Sequence, residues 1–134
     1  MVCTEHPFLR FPRKEAERAI RSVYAGEGRR LNPVTVIFTT STLIRGINRT
    51  FLRHDRATDV ISFPLAADRQ MRDEIYINLD YARRQARDYG VRFQDEARRL
   101  LIHGSLHLLG YRDDSLRRRD QMRRREDHYL VRLT

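Results

Sequence analysis

Apolar residues recur along this chain with two different periods, and the changes from one to the other divide it into elements. Residues 8–12, Phe-Leu-Arg-Phe-Pro, alternate weakly and predict a short edge strand closed by Pro12. Helical spacing follows over 13–25: Ala16, Ala19, Ile20 and Val23 share one stripe until Gly26 and Gly28 stop it. Residues 34–40, β-branched and apolar after Pro33, read as a strand. Ser41 is placed to cap a helix in which Leu43, Ile44, Ile47 and Phe51 recur at helical spacing. Residues 58–64 read as a buried strand terminated by Pro64. In a further strand over 74–79, Ile75 and Ile77 alternate with Glu74, Tyr76 and Asn78. Helices are predicted over 81–89 and 93–109, separated by Gly90, and a last helix runs from Asp114 or Ser115 to Leu130.

The order strand, helix, strand, helix, two strands, three helices predicts an α+β fold. We expect a single domain over 1–134, with a small mixed sheet of roughly four strands packed against about five helices. The strands near 60 and 75 are joined by a short segment and are expected to pair antiparallel. A chain of 134 residues suits one core, and no repeat or Pro/Gly/Ser linker divides it. No apolar run approaches the roughly 20 residues that span a bilayer, so no membrane role is expected. The start, Met-Val-Cys-Thr-Glu-His, lacks the pattern of a secretory signal, and a cytoplasmic location fits. Cys3 is the sole cysteine, which excludes an internal disulfide and a thiolate-rich zinc site.

Charge narrows the partner. The net charge is +9, and nearly all the basic residues are arginine, Lys14 being the one lysine. Arginine forks onto phosphate oxygens and stacks on bases, which favours nucleic acid over a solvated surface. No segment sets a broad apolar face against a basic one, as an anionic membrane surface would require. The triplets Arg117–Arg119 and Arg123–Arg125 encircle much of the last helix. Asp120, Glu126 and Asp127 are spaced to pair with them one turn away, so this helix reads either as a salt-bridged surface or as a patch facing nucleic acid.

The chemistry concentrates in residues 102–114, Ile-His-Gly-Ser-Leu-His-Leu-Leu-Gly-Tyr-Arg-Asp-Asp. Four residues separate His103 from His107, which on an α-helix sets the side chains about 40° apart and one turn along the axis. Two imidazoles so placed reach one ion at the roughly 2 Å that zinc requires. Gly110 then turns the chain and brings Asp113 or Asp114 back towards the same point. Two histidines and a carboxylate leave a coordination position open for catalysis. Gly104 stands where a zinc peptidase motif would carry its general-base glutamate, so peptidase chemistry is disfavoured.

The run from His103 to Tyr111 closely resembles the signature H-G-x-L-H-L-x-G-Y-D-H of the YbeY family of endoribonucleases and rRNA maturation factors. Upstream, Asp55-Arg-Ala-Thr58-Asp59-Val-Ile-Ser62-Phe63-Pro64 resembles that family's D-x-x-T-D-V-L-S-F-P block, and Glu74-Ile-Tyr-Ile its G-D-I-x-I strand. Met122, Glu126 and Leu130 fit its closing helix, so the resemblance spans about 30–131. It implies a single-strand-specific, metal-dependent endoribonuclease acting on rRNA, including the 3′ end of the 16S species, and in ribosome quality control. Its partners would be RNA and the small ribosomal subunit, with no DNA expected, and its cofactor one divalent ion, zinc being the best fit. The alternative is a ribosome-associated RNA-binding factor whose metal is mainly structural. A metal hydrolase with a non-RNA substrate is disfavoured by the basic charge.

Two positions depart from the family pattern. Its third ligand is a histidine, and the residue here is Asp113, which makes the ligand set His103, His107 and Asp113, harder and more anionic than three histidines. Asp114 stands in reserve, and Arg112 replaces the aspartate before the third ligand. Where relatives carry an arginine thought to assist catalysis, this chain has Leu52, with Arg49 and Arg53 nearby as candidates to supply that charge. Asp59 is a catalytic or structural candidate, expected to cap the strand or pair with an arginine, and Ser62 is expected to line the cleft. His54, beside Asp55, is a loop residue able to approach substrate, while His128 is expected to face solvent. His6 and Cys3 lie near a terminus expected to be loosely held and carry no assignment.

Overall fold

The structure is a computed structural model that describes residues 1–52, 57–65 and 71–134. Among these residues the elements run β1 (Val2–Thr4), α1 (Arg13–Gly26), β2 (Val34–Thr39), α2 (Ser41–Phe51), β3 (Val60–Phe63), β4 (Asp73–Asn78), α3 (Leu79–Tyr89), α4 (Phe93–Leu108) and α5 (Leu116–Leu133). The strands form one mixed sheet in the order β1-β2-β4-β3. The two parallel pairs, β1 with β2 and β2 with β4, have helices in their connections, as parallel neighbours require. β3 and β4 pair antiparallel, as expected for closely joined strands. The α+β class, mixed sheet and helix content thus agree with the sequence reading.

Register decides which side chains share a face. Val36 and Ser62 stand opposite Ile75, and Phe38 and Val60 opposite Ile77. This face carries the main core, in which Val36, Phe38, Ile75 and Ile77 pack with residues of α1, α3, α4 and α5. On α1 the buried positions are Ala16, Ala19, Ile20, Val23 and Tyr24, which contains the stripe seen in the sequence. On the other face Tyr76 stands between Ile37 and Ile61. There Phe51 of α2 meets Phe63 edge-on at 6.2 Å between ring centres. α4 is buried or half-buried at every position, its buried residues including Glu96, Arg98 and Ser105 beside the apolar ones, so it is the central helix of the fold.

The N-terminal strand is not where the alternation placed it. Residues 8–12 form no strand, and β1 lies at Val2–Thr4. His6 is the reason. Its Nδ1 accepts the backbone N–H groups of Phe8 and Leu9 at 3.3 and 3.0 Å, and its Nε2 donates to Asp80 Oδ1 at 2.7 Å. The chain therefore turns here. Phe11 is buried because its ring stacks on Phe38, and Pro12 is the N-cap of α1. Nor is the terminus loosely held: His6 is buried, Cys3 sits in β1, and the Met1 ammonium donates to Val34 O at 2.9 Å. α2 is capped one residue earlier than expected, by the Thr40 side chain accepting the Leu43 N–H. The strand expected over 58–64 is an edge strand, half-buried apart from Ile61. It starts at Val60 because Asp59 Oδ1 takes the Val60 N–H at 2.8 Å.

Candidate metal centre

Gly104 sets how deeply α4 presses into the sheet. A methyl group built on it would lie 2.7 Å from Ile75 Cγ2, 3.0 Å from Val60 Cγ2 and 3.2 Å from Ser62 Oγ. Glycine therefore occupies this position because the sheet leaves no room for a side chain. The Gly104 carbonyl also accepts a 2.9 Å hydrogen bond from Ser62 Oγ, which fixes β3 against α4. Gly104→Ala must push the helix off a sheet that cannot yield at the fully buried Ile75. The expected result, after allowing for alanine's better helix propensity, is a loss of about 1–2 kcal/mol of stability. Thermal denaturation checks it, and an unchanged midpoint would contradict this packing.

His103 and His107, on either side of Gly104, have their ring orientations set by different acceptors. His107 Nδ1 donates to the carbonyl of Tyr111 at 2.9 Å, and His103 Nδ1 lies 2.7 Å from Glu126 Oε2. Carbonyl and carboxylate oxygens only accept, so both rings carry hydrogen on Nδ1. The two Nε2 atoms then face each other at 2.9 Å, and each lies 3.4 Å from Asp113 Oδ2. Two imidazole lone pairs and a carboxylate oxygen in such proximity repel unless a proton or cation lies among them. Tetrahedral ligands about 2 Å from zinc stand about 3.3 Å apart. The two separations to Asp113 match that spacing and the one between the histidines is somewhat shorter, so the donor set fits a divalent ion. These three residues form a possible metal-holding group among the described residues.

Glu126 is a functional residue that sequence reasoning missed. It is 4% exposed, and beyond His103 it accepts from Arg99 Nη1 at 2.9 Å. Arg99 in turn donates to Asp127 at 2.6 Å. The expected pairing of Glu126 and Asp127 with arginines of their own helix is therefore corrected. Glu126 shares the inward stripe of α5 with Met122, Tyr129 and Leu133, and so reaches across to α4. Asp120 does pair one turn along, with Arg124 at 3.0 Å. A carboxylate recurring at the same spacing as buried apolar residues was the available signal, because a buried charge needs a partner. Burial opposes protonation of His103, but the Glu126 hydrogen bond and charge, with Asp59 and Asp113, outweigh it and raise its pKa above the usual imidazole range.

The chain returns to the site through the turn after α4. Gly110 has φ 101°, Tyr111 N–H bonds to Leu106 O, and Gly110 N–H to His107 O, both at 3.0 Å. This is a glycine-terminated helix end of the expected kind. It carries Asp113 to the two histidines. Asp114 is turned elsewhere, accepting from Arg112 at 2.6 Å and Arg118 at 2.7 Å, so the reserve candidate is not part of the cluster. Burial raises the pKa of Glu27, but hydrogen bonds from Tyr111, Tyr129 and Arg125 lower it further, leaving it below its usual range.

Two depressions flank the histidines. His107 lines a cleft with Asn48, Leu52, Val60, Ser62 and Arg112. His103 and Asp113 line another with Asp59, Arg99, Arg119 and Arg123. Asp59 thus sits beside the centre while capping β3, and Ser62 lines the cleft while bonded to Gly104. Leu52 does line the cleft, whereas Arg49 lies on the exposed side of α2 and is not among the lining residues. Arg53, His54 and Asp55 fall outside the described residues. His128 stands near the surface of α5 beside Arg132, away from these groups.

Known proteins resemble this chain over most of its length. The family model for endoribonuclease YbeY matches residues 8–134. The chain belongs to the YbeY family. Among YbeY relatives, the endoribonuclease YbeY of Chlorobaculum parvum is 44% identical over 115 residues, covering 86% of this chain and 82% of that one. That of Chlorobium phaeobacteroides is 39% identical, covering 91% and 88%. A solution structure of a Thermotoga maritima protein superposes with a TM-score of 0.66 at 25% identity, covering 99% of this chain and 89% of that one.

Proposed function

We propose that this chain is a metal-dependent endoribonuclease that cuts single-stranded RNA at a centre built from His103, His107 and Asp113, with Zn2+ the best-suited ion. The observation that carries the proposal is the convergence of two Nε2 atoms and one carboxylate oxygen, each histidine held by its other nitrogen. A divalent ion bound there supplies Lewis acidity to a phosphoryl oxygen or to bound water. His103 and His107 hold it through nitrogens whose orientation Glu126 and the Tyr111 carbonyl fix. Arg112 in one depression, and Arg119 and Arg123 in the other, supply positive charge to the RNA backbone on either side. Asp59, Arg49 and Arg53 remain candidates for catalytic roles. Family membership supports rRNA maturation, including the 16S 3′ end, ribosome quality control, a small-subunit partner and a cytoplasmic setting. No helix among the described residues is long and apolar enough to cross a membrane.

The test is incubation of purified protein, its metal quantified, with one RNA sequence as a single strand and as a duplex. The single strand should be cut and the duplex spared. Leu52 in the cleft favours a second reading, a ribosome-associated binding factor with a structural metal, and stoichiometric metal with both RNAs intact would establish it instead. Asp113→His should preserve metal binding, because it restores the usual third donor. Loss of the ion by elemental analysis would count against Asp113 as ligand.

A further inference from the structure

His107 is not held by a side-chain carboxylate, as His103 is, but by a backbone carbonyl in an irregular segment. The orientation of that carbonyl depends on what anchors Tyr111. Its backbone N–H is bonded to Leu106 O, and its hydroxyl donates to Glu27 Oε1 at 2.5 Å. Glu27 is the C-cap of α1, remote in sequence from the histidines, and it is almost fully used. Its Oε2 accepts from both Nε and Nη2 of Arg125, at 3.2 and 2.5 Å, and from the Tyr129 hydroxyl. Its side chain is 11% exposed. A carboxylate whose two oxygens are engaged by donors from α5 and from the metal loop is a fixed post. The chain of contacts runs from Glu27 to the Tyr111 hydroxyl, through Tyr111 to its carbonyl, and from there to His107 Nδ1.

We infer that Tyr111 and Glu27 are positioning residues for the centre: Glu27 anchors the Tyr111 ring so that the Tyr111 carbonyl holds His107 with Nε2 directed at the ion. The inference rests on the metal reading above and deepens it, since it assigns His107 a support carried by α1 and α5. Partners of this kind orient a ligating histidine and fix its tautomer, and their loss typically weakens metal binding by about 10–100-fold. Because the Tyr111 N–H bond to Leu106 survives loss of the hydroxyl, the lower end of that range is expected here.

Tyr129 provides the control. Its hydroxyl binds the same Glu27 carboxylate and touches Arg125 at 3.1 Å, but on its loss Arg125 still holds Glu27 Oε2 through two hydrogen bonds, and the Tyr111 contact on Oε1 is untouched. Zn2+ affinity, measured by chelator competition, and thermal midpoint should be compared for wild type, Tyr111→Phe, Glu27→Gln and Tyr129→Phe. Tyr111→Phe and Glu27→Gln should bind Zn2+ about tenfold more weakly while folded. Nitrogen NMR of the histidines should show His107 Nδ1–H exchanging faster with solvent in both. Tyr129→Phe should lower the midpoint and leave affinity and exchange unchanged. Equal Zn2+ affinity in wild type and Tyr111→Phe, or an equal loss in Tyr129→Phe, would overturn the inference. If wild type itself binds no Zn2+, the metal reading fails first.

Discussion

The double variant His103→Ala, His107→Ala should purify without stoichiometric metal and leave single-stranded RNA intact. Two of three donors disappear, and Asp113, 43% exposed at its side chain, cannot retain a divalent ion against water alone. Stability should respond differently from function. His103 and His107 side chains are 17% and 28% exposed, so their removal leaves only small cavities near the surface. The deepest cost is at Glu126, which loses one of its two partners but keeps Arg99. A folded, metal-free, inactive protein is therefore the expected product. Circular dichroism and elemental analysis separate this from general unfolding. Retained stoichiometric metal would mean that the ion lies elsewhere.

Glu126→Gln should weaken metal binding by about 10–100-fold while keeping the shape of the side chain. The carboxylate makes His103 a better donor and holds its tautomer; an amide accepts more weakly and brings no charge. Stability should fall as well, because Arg99 faces the same carboxylate from a mostly buried position. Removing one member of a buried ion pair typically costs about 3–5 kcal/mol. Asp127 still accepts from Arg99, so the low end of that range applies. A titration with Zn2+ and a denaturant melt together read both effects. Unchanged affinity would show that the Glu126 contact orients nothing of consequence.

Much of this arrangement was legible in the sequence for identifiable physical reasons. His103 and His107 were readable because helical periodicity alone puts them on one side of α4, and Gly110 because a positive φ suits glycine. Turn geometry alone left Asp113 and Asp114 both open, and the family resemblance put Asp113 first with Asp114 in reserve. The choice between them depends on Arg112 and Arg118, whose side chains draw Asp114 away, and backbone patterning does not encode that. β1 was missed because three residues are too few to display alternation. The weak alternation at 8–12 reflects Phe11 stacking on Phe38, a contact between distant segments. Glu126 lay in view on a stripe with Met122. The charge pattern of α5 offered it nearby arginines, while its partners in the fold are on α4. Glu27 and Tyr111 are 84 residues apart and share no local pattern. The packing of α1 and α5 against the loop after α4 joins them.

Gly104 illustrates the same limit from the other side. The sequence shows that it is not a glutamate and so argues against peptidase chemistry. The reason for glycine appears only where α4 meets Ile75 and Val60. That close approach also places the two histidines beside β3, where Ser62 and the residues of the cleft stand.

The most direct test of the central claim is cleavage of single-stranded RNA by the protein stripped of metal with a chelator and then titrated with Zn2+. Activity should vanish on stripping and return fully at one ion per chain, with the His103→Ala, His107→Ala variant inactive throughout. Undiminished cleavage by the stripped protein, or recovery in the double variant, would contradict a centre built on these residues.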